Sequence, residues 1–402
     1  MTTIIIGAGH GGGVLAANLR QNGYSGPITM IGEEPHPPYQ RPPLSKGWLK
    51  GEVDADGLLL RPRDWYGESN IALRTSTRVI RIDRAAKSVT LSTDEVLTYD
   101  TLVLATGARA RRLSLPGSDL KGFLELRTIE DAEVIKAWFK PGFRLAIIGG
   151  GYVGLEVAAS ARKLGVDVHV IEREDRLLAR VAGPVLSDFF REVHEAHGVR
   201  FHFGAVVEGF DGLDGQVSGV RIAGAAVLQC DAVLVGIGAV PNDDLARDAG
   251  LACENGVIID GQARTSDPDI FAIGDMTQRP MPLYGRSVRL ESVPNALEQA
   301  RQAAAAICAT AEPKSETPWF WSDQYDLKLQ IAGMPFDVDQ IVVRGDPAAR
   351  KFAVFHLSQN RVQAVEAINA PPEFIVGRQW LASRREIDLV RLADVSIPMK
   401  EV

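Results

Sequence analysis

Apolar residues fall along the chain in short solid runs, and between them lie longer stretches with a three-to-four-residue rhythm. Ile4-Ile5-Ile6 is a β-branched run of strand type that breaks at Gly7, and Val14 to Arg20 then reads as a helix. Ile28 to Ile31 is a second strand-like run, and 78–82 and 88–91 alternate as strands. Thr101 to Leu104 predicts a buried strand that ends in the small residues Ala105-Thr106-Gly107. The order then starts again. Arg144 to Ile148 predicts a strand, Leu155 to Leu164 a helix ending at Gly165, and Val166 to Ile171 the next strand. Beyond it, 183–197 is an amphipathic helix and 199–222 a set of strands. Asp231 to Gly238 is a buried strand ending in glycine, and Thr265 to Asp275 gives a short apolar one ending in Gly274-Asp275. An alanine-rich helix then runs to Ala309, with Ser292 as its N-cap and Pro294 in its first turn. A polar, proline-containing break at 311–318 precedes a change of texture. Trp319-Phe320-Trp321, strands near 327–332, 340–344, 351–357 and 361–368, and short helices follow.

The repeated junctions carry glycine at matching places. Gly7, Gly9 and Gly12 follow the first strand, and Gly149, Gly151 and Gly154 follow Arg144–Ile148. In such a GxGxxG turn the first glycine allows the tight bend and the second admits a pyrophosphate. The third lets helix pack closely on strand. The helix start offers free N–H groups and the positive end of its dipole. Glu33 and Glu172 stand at the ends of the following strands, placed to accept hydrogen bonds from a ribose. An acid at Glu172 favours a free 2′-hydroxyl, hence NADH over NADPH, while Arg173 beside it softens that preference. Two such turns imply two dinucleotides, one to give electrons and one to take them. The predicted fold class is therefore α/β: two Rossmann-like dinucleotide-binding domains plus a C-terminal α+β domain.

Composition narrows the class. The 402 residues carry 46% hydrophobic and 24% charged side chains, as in an ordinary soluble protein, and no apolar run spans a bilayer. A net charge of −7 argues against bulk nucleic-acid binding but leaves room for a local basic patch facing an acidic protein. The N-terminus runs from Met1 into a strand without a basic leader, which points to the cytoplasm. Cys230, Cys253 and Cys308 are scattered, without metal-ligand spacing, and read as reduced structural thiols. His194 and His197 lack the HExxH pattern and read as helix-surface histidines, so no metal site is expected. The five-proline loop from Glu34 to Lys46 is stiff and carries Tyr39, Arg41 and Lys46, which suits a site better than a linker.

Longer motifs are more specific: GAGHGG at Gly7–Gly12, PYQRPPLSK at Pro38–Lys46, LATG at Leu104–Gly107 and GGGYVGLEVA at Gly149–Ala158. AIGD at Ala272–Asp275, ESVPNALEQAR at Glu291–Arg301 and WFWSDQY at Trp319–Tyr325 continue them. With these, essentially the whole chain resembles the FAD-dependent, NADH-using ferredoxin reductases of the putidaredoxin reductase type. They belong to the two-dinucleotide flavoproteins that include glutathione reductase. The resemblance implies an FAD-binding domain that is discontinuous, 1–107 and 238–317, an NADH-binding domain at 108–237 between, and a C-terminal α+β domain at 318–402. The resemblance implies FAD contacts at Gly7, Gly9, Gly11, Gly12, Glu33, Arg41, Lys46, Val79 and Ala105. It adds Gly107, Arg127, Asp275, Glu291, Ser292, Val293 and Trp319. NADH would meet Gly149, Gly151, Tyr152, Gly154, Glu172 and Gly238. It further implies that Lys46 pairs with Glu156 beside the reactive flavin nitrogen, as the catalytic pair. The helix that starts near Ser292 would aim its N-terminus at the flavin. His10 is given no catalytic role. Trp319 and Trp321 read either as core aromatics or as lining for the electron exit.

The disulfide-reducing branches place a redox cysteine pair where Pro38 to Lys46 stands, and no cysteine precedes Cys230 here. Electrons must then leave the flavin directly. The function implied is hydride transfer from NADH to FAD, then single electrons to a 2Fe–2S ferredoxin serving a haem-thiolate monooxygenase or ring-hydroxylating dioxygenase. Arg61, Arg301 and Lys328 are docking candidates for that acidic partner, in a monomer or weak dimer. The rivals are a rubredoxin reductase or NADH oxidase of the same superfamily, and a flavin-based redox sensor similar to apoptosis-inducing factor.

Overall fold

The computed structural model describes residues Met1–Val402. By its contacts the chain forms two compact units. The first comprises Met1–Gln40, Ala55–Arg109 and Val240–Trp319; the second comprises Arg41–Asp54, Ala110–Ala239 and Phe320–Val402.

The first unit is built on a five-stranded parallel sheet. Its spatial order is Ile270–Ala272, Thr101–Leu104, Thr3–Ile6, Ile28–Ile31 and Ile71–Arg74. Ile6 pairs with both Ile31 and Leu104, and Leu104 with Ala272, so four segments leave the sheet from one edge. That edge is where open α/β sheets bind ligands. The helices His10–Gln21 and Val293–Ile307 pack on each other. Ala300, Ala303 and Ala304 are wholly buried there, and with Leu15, Leu19 and the strand isoleucines they form one core. Each buried Leu contributes about 1.5–3 kcal/mol relative to exposure. The His10–Gln21 helix begins four residues before the predicted Val14. Gly11, Gly12 and Gly13 read as loop by propensity, but packing draws them into the first turn. Tyr152–Lys163 likewise begins before Leu155.

The second unit repeats the plan. Its parallel sheet runs Arg200–His202, Asp167–Ile171, Arg144–Ile148, Ala232–Val235 and Phe123–Leu124. The C-terminal residues of this unit add a second sheet, in the order Trp319–Gln324, Leu327–Gly333, Arg361–Ile368, Lys351–Ser358 and Gln340–Asp346. Its four later strands pair antiparallel. Pro371–Ser383 lies against it. Trp319–Gln324, read from sequence only as an aromatic cluster, is a strand. The helix Pro184–Ala196 presents Leu186, Phe189, Phe190 and Val193 to Leu327, Leu329, Phe352 and Ile368, so both sheets share one apolar cluster. His194 corrects the surface reading: it is fully buried on that helix, where the apolar period carries it inward. The three cysteines are free thiols. No helix is long and apolar enough to cross a membrane.

Candidate functional site

The first glycine turn is shaped by close approach. Gly7 has φ +117°, and a Cβ there would lie 2.2 Å from the Ala105 carbonyl oxygen. A Cβ at Gly12 would lie 2.1 Å from the Gly7 carbonyl oxygen. At Gly9, by contrast, a Cβ would meet nothing within 4 Å. Gly9 is also the N-cap of His10–Gln21, and no side chain caps that helix. Gly9 thus borders open space at the positive dipole end of a helix start, the setting that suits a pyrophosphate. A Cβ at Gly11 would instead lie 3.4 Å from the Ile273 side chain and 3.8 Å from that of Ala296.

Other residues of the predicted flavin set belong to the same unit. Glu33 leaves Ile28–Ile31 with an exposed carboxylate, 4.0 Å from the Arg78 guanidinium. Ala105 donates from its backbone to Ile6, and Gly107 turns with φ +65°. Asn242 bridges Thr106 and Gly107 through hydrogen bonds of 2.7–2.9 Å. Val79 starts a strand and is buried. The Asp275 carbonyl accepts from Arg289, which also pairs with Glu291 at 2.5 Å. Ser292 caps Val293–Ile307 through the Asn295 N–H, with Pro294 in the first turn, as the sequence predicts. Trp319 is half-buried and lines a small cleft with Leu290, Pro294 and Asn295. Sequence reasoning missed what holds that helix. Glu298 is buried, takes both arms of buried Arg279 at 2.7 and 3.2 Å, and accepts from the Glu316 N–H. The signal was a charged residue on the alanine-rich face.

The second glycine turn repeats the first within the second unit. Gly149 has φ +103°, and Cβ atoms at Gly149 and Gly154 would lie 2.5 and 2.6 Å from the Gly236 and Gly149 carbonyl oxygens. Gly151 caps Tyr152–Lys163 without a side-chain bond, and a Cβ there would meet only Gly236 O, at 3.9 Å. Glu172 Oε2 accepts from the Gly150 N–H at 2.7 Å and Oε1 from the Glu174 N–H at 2.9 Å, fixing the carboxylate against the turn. Arg173 is exposed and swings to Glu174 at 2.9 Å. Gly238 has φ +106° and accepts from the Arg111 N–H. The Tyr152 ring meets Phe320 edge-on at 4.8 Å. Arg41 donates to the Arg127 carbonyl at 2.6 Å, so these two predicted phosphate partners meet.

Lys46 and Glu156 form an ion pair of 2.7 Å. Lys46 closes the 3-10 turn Pro42–Ser45, which packs on the Tyr152–Lys163 helix. The carboxylate is 7% exposed and the ammonium 18%. Ser45 Oγ donates to Glu156 Oε2 at 2.5 Å, and Ser322 Oγ to Oε1 at 2.6 Å. Ser160 Oγ donates to the Ser45 carbonyl at 2.8 Å and fixes the turn. A buried carboxylate that meets one cation and two hydroxyl donors is fixed in one orientation, and it pins the ammonium at one place. Neither serine is legible from sequence, since serine signals no chemistry without its partner. Of the docking candidates, Arg61 and Lys328 are exposed, and Arg301 is paired with Glu316 at 2.5 Å.

Residues 1–300 match the family described as pyridine nucleotide-disulphide oxidoreductase, and 319–402 match the reductase C-terminal family. A protein of Castellaniella defragrans named probable ferredoxin reductase CtmF is 51% identical, over 97% of this chain and 96% of its own. Putidaredoxin reductase CamA of Pseudomonas putida is 42% identical, over 99% and 96%. The crystal structure of a covalent putidaredoxin reductase–putidaredoxin complex superposes with a TM-score of 0.97. Identity there is 41%, covering 100% of this chain and 97% of that one.

Proposed function

We propose that this chain, which belongs to the pyridine nucleotide-disulphide oxidoreductase family, is an NADH-dependent ferredoxin reductase. The observation that carries the reading is the pair of glycine cradles in one chain, each opening on a helix start that no side chain caps. FAD, when bound, would supply the chemistry, accepting one hydride, hence two electrons, and releasing those electrons singly. The protein's work is to bind, orient and exclude water.

In this reading, Gly9 and the first turn of His10–Gln21 hold the FAD pyrophosphate, and Glu33 holds its ribose. The Val293–Ile307 helix start offers positive potential where charge develops on reduction. Arg41 and Arg127 offset phosphate charge. Gly151 and Tyr152–Lys163 take the pyrophosphate of NADH, and Glu172 takes its adenosine ribose. Support for NADH over NADPH is that Glu172 is already fixed as an acceptor, while Arg173 is drawn to Glu174. Lys46 and Glu156 position the nicotinamide and balance charge during hydride transfer. We assign 1–107 and 238–317 to FAD, 108–237 to NADH and 318–402 to the C-terminal domain.

The acceptor is a 2Fe–2S ferredoxin that feeds a haem-thiolate monooxygenase or a ring-hydroxylating dioxygenase, docked through Arg61, Arg301 and Lys328. Three free thiols suit a reducing cytoplasm. Anaerobic stopped-flow mixing with NADH, then with a panel of 2Fe–2S ferredoxins and a rubredoxin, tests the reading. Fast bleaching and fast reoxidation by a ferredoxin are expected. Reoxidation only by rubredoxin or dioxygen would move the chain to a neighbouring activity. Slow bleaching without any competent carrier would leave a redox sensor.

A further inference from the structure

The Glu156 carboxylate is the end of a longer polar chain inside the second unit. Ser322 Oγ, which donates to Glu156, accepts from Gln324 Nε2 at 3.1 Å. Gln324 Oε1 lies 2.8 Å from His194 Nε2, and His194 Nδ1 lies 3.2 Å from the Tyr325 hydroxyl. The directions are forced. Ser322 spends its proton on a carboxylate, so Gln324 must turn its NH2 toward Ser322. Its carbonyl then faces His194, which must carry its proton on Nε2. Nδ1 of the neutral ring accepts from Tyr325. Every donor therefore points toward Glu156. Ser322 and Gln324 are 1% exposed and His194 is wholly buried, among Phe190, Phe201 and the Tyr325 ring. Such a chain costs desolvation energy and persists only when every member is satisfied, as it is here. Apolar residues would fill the same space at lower cost, and nothing in the apolar cluster requires a histidine and a glutamine.

We propose that Ser322, Gln324 and His194 are positioning residues for hydride transfer: a one-way donor chain that sets the orientation of the Glu156 carboxylate and, through it, of Lys46. It rests on the reading of Lys46 and Glu156 given above. Ser322 and Gln324 lie on the first strand of the C-terminal sheet, and His194 on the helix Pro184–Ala196. The C-terminal sheet thereby acts on the hydride step itself, through the face that alternation turns inward from Trp319–Gln324.

The test compares holoenzyme with Ser322→Ala, Gln324→Met and Ser322→Thr, the last keeping the hydroxyl. Two readouts are used: the rate and NADH dissociation constant of flavin bleaching in anaerobic stopped flow, and the 15N shifts of histidine ring nitrogens. Ser322→Ala and Gln324→Met should bleach about tenfold more slowly at saturating NADH, with the dissociation constant within about twofold. Ser322→Thr should recover most of the rate. The wild-type His194 ring should show the Nε2–H tautomer, and Gln324→Met should shift the Nε2 signal, since that proton loses its acceptor. Ser322→Ala with wild-type bleaching, or a His194 ring protonated on Nδ1, would overturn the chain. A wild type that NADH does not bleach would overturn the hydride-transfer reading itself, a failure visible before any variant is mixed.

Discussion

Lys46 is held by one carboxylate oxygen 2.7 Å away and by the Pro42 carbonyl at 3.2 Å, so its ammonium has little freedom left. That predicts a separation of effects. Lys46→Ala should slow NADH bleaching of the flavin by about ten- to a hundredfold while FAD stays bound, because the turn stays fixed by Ser160. Stopped flow beside a measure of FAD released on gel filtration checks this; equal losses in both would remove Lys46 from the hydride step. His194 carries a prediction about pH. Burial pushes its imidazole down to about 4 from the ordinary 6.5. The unfolded chain then binds more protons than the folded one between those values, so stability is complete above about pH 6.5 and is lost as pH falls toward 4. The loss amounts to about 3 kcal/mol by pH 4. His169 and His202, also shifted down by burial, add to it in the same sense. Urea midpoints against pH should fall through this window, and His194→Gln should flatten the slope while lowering the plateau.

At the scale of elements, the glycine turns separate folding from binding. Gly12→Ala drives a Cβ into the Gly7 carbonyl oxygen, and backbone cannot step aside as a side chain can, so stability should fall by about 1–3 kcal/mol and FAD retention with it. Gly9→Ala meets no atom and keeps an ordinary φ of −93°, so the protein should fold as the parent does yet bind FAD at least tenfold more weakly. Thermal melts of the FAD-free proteins, beside fluorimetric FAD titration, distinguish the two; an unchanged FAD affinity in Gly9→Ala would disprove the cradle. The spacing within these turns was legible because Gly12 and Gly154 are required by the Gly7 and Gly149 carbonyls five residues earlier, whereas the contacts of Gly7 and Gly149 with Ala105 and Gly236 lie far along the chain. The same locality made the Ser292 cap and the repeated strand-turn-helix order readable. Helix starts were misjudged by three or four residues, since packing overrules the low helix propensity of Gly11 to Gly13. The Ser322, Gln324 and His194 alignment was illegible for the opposite reason. Its members are more than a hundred positions apart at the widest, and each is ordinary on its own.

Across the whole molecule, association with an acidic carrier should depend on salt. Arg61→Gln and Lys328→Gln should each raise the Michaelis constant for ferredoxin severalfold at low ionic strength and little at high. Arg301→Gln should do less, since Glu316 already takes up its charge. Initial rates at two salt concentrations check this, and salt-independent effects would exclude these residues from docking. One further feature concerns synthesis. In the first unit's sheet, Thr101–Leu104 is neighboured by Ile270–Ala272, and the packing partner of His10–Gln21 is Val293–Ile307. The intervening chain contains the complete second glycine turn and its sheet. A ribosome adding roughly 5–20 residues per second needs about 10–40 s to pass from Leu104 to Ile307. Through that interval the opening strands, among the most apolar in the chain, wait without their edge strand and without the helix that covers them. The part made first closes only after the middle of the chain has been made. A nascent chain must shelter Ile4, Ile5 and Ile6 until the sequence returns to them, and rare codons or arrest within 110–239 would lengthen the exposure.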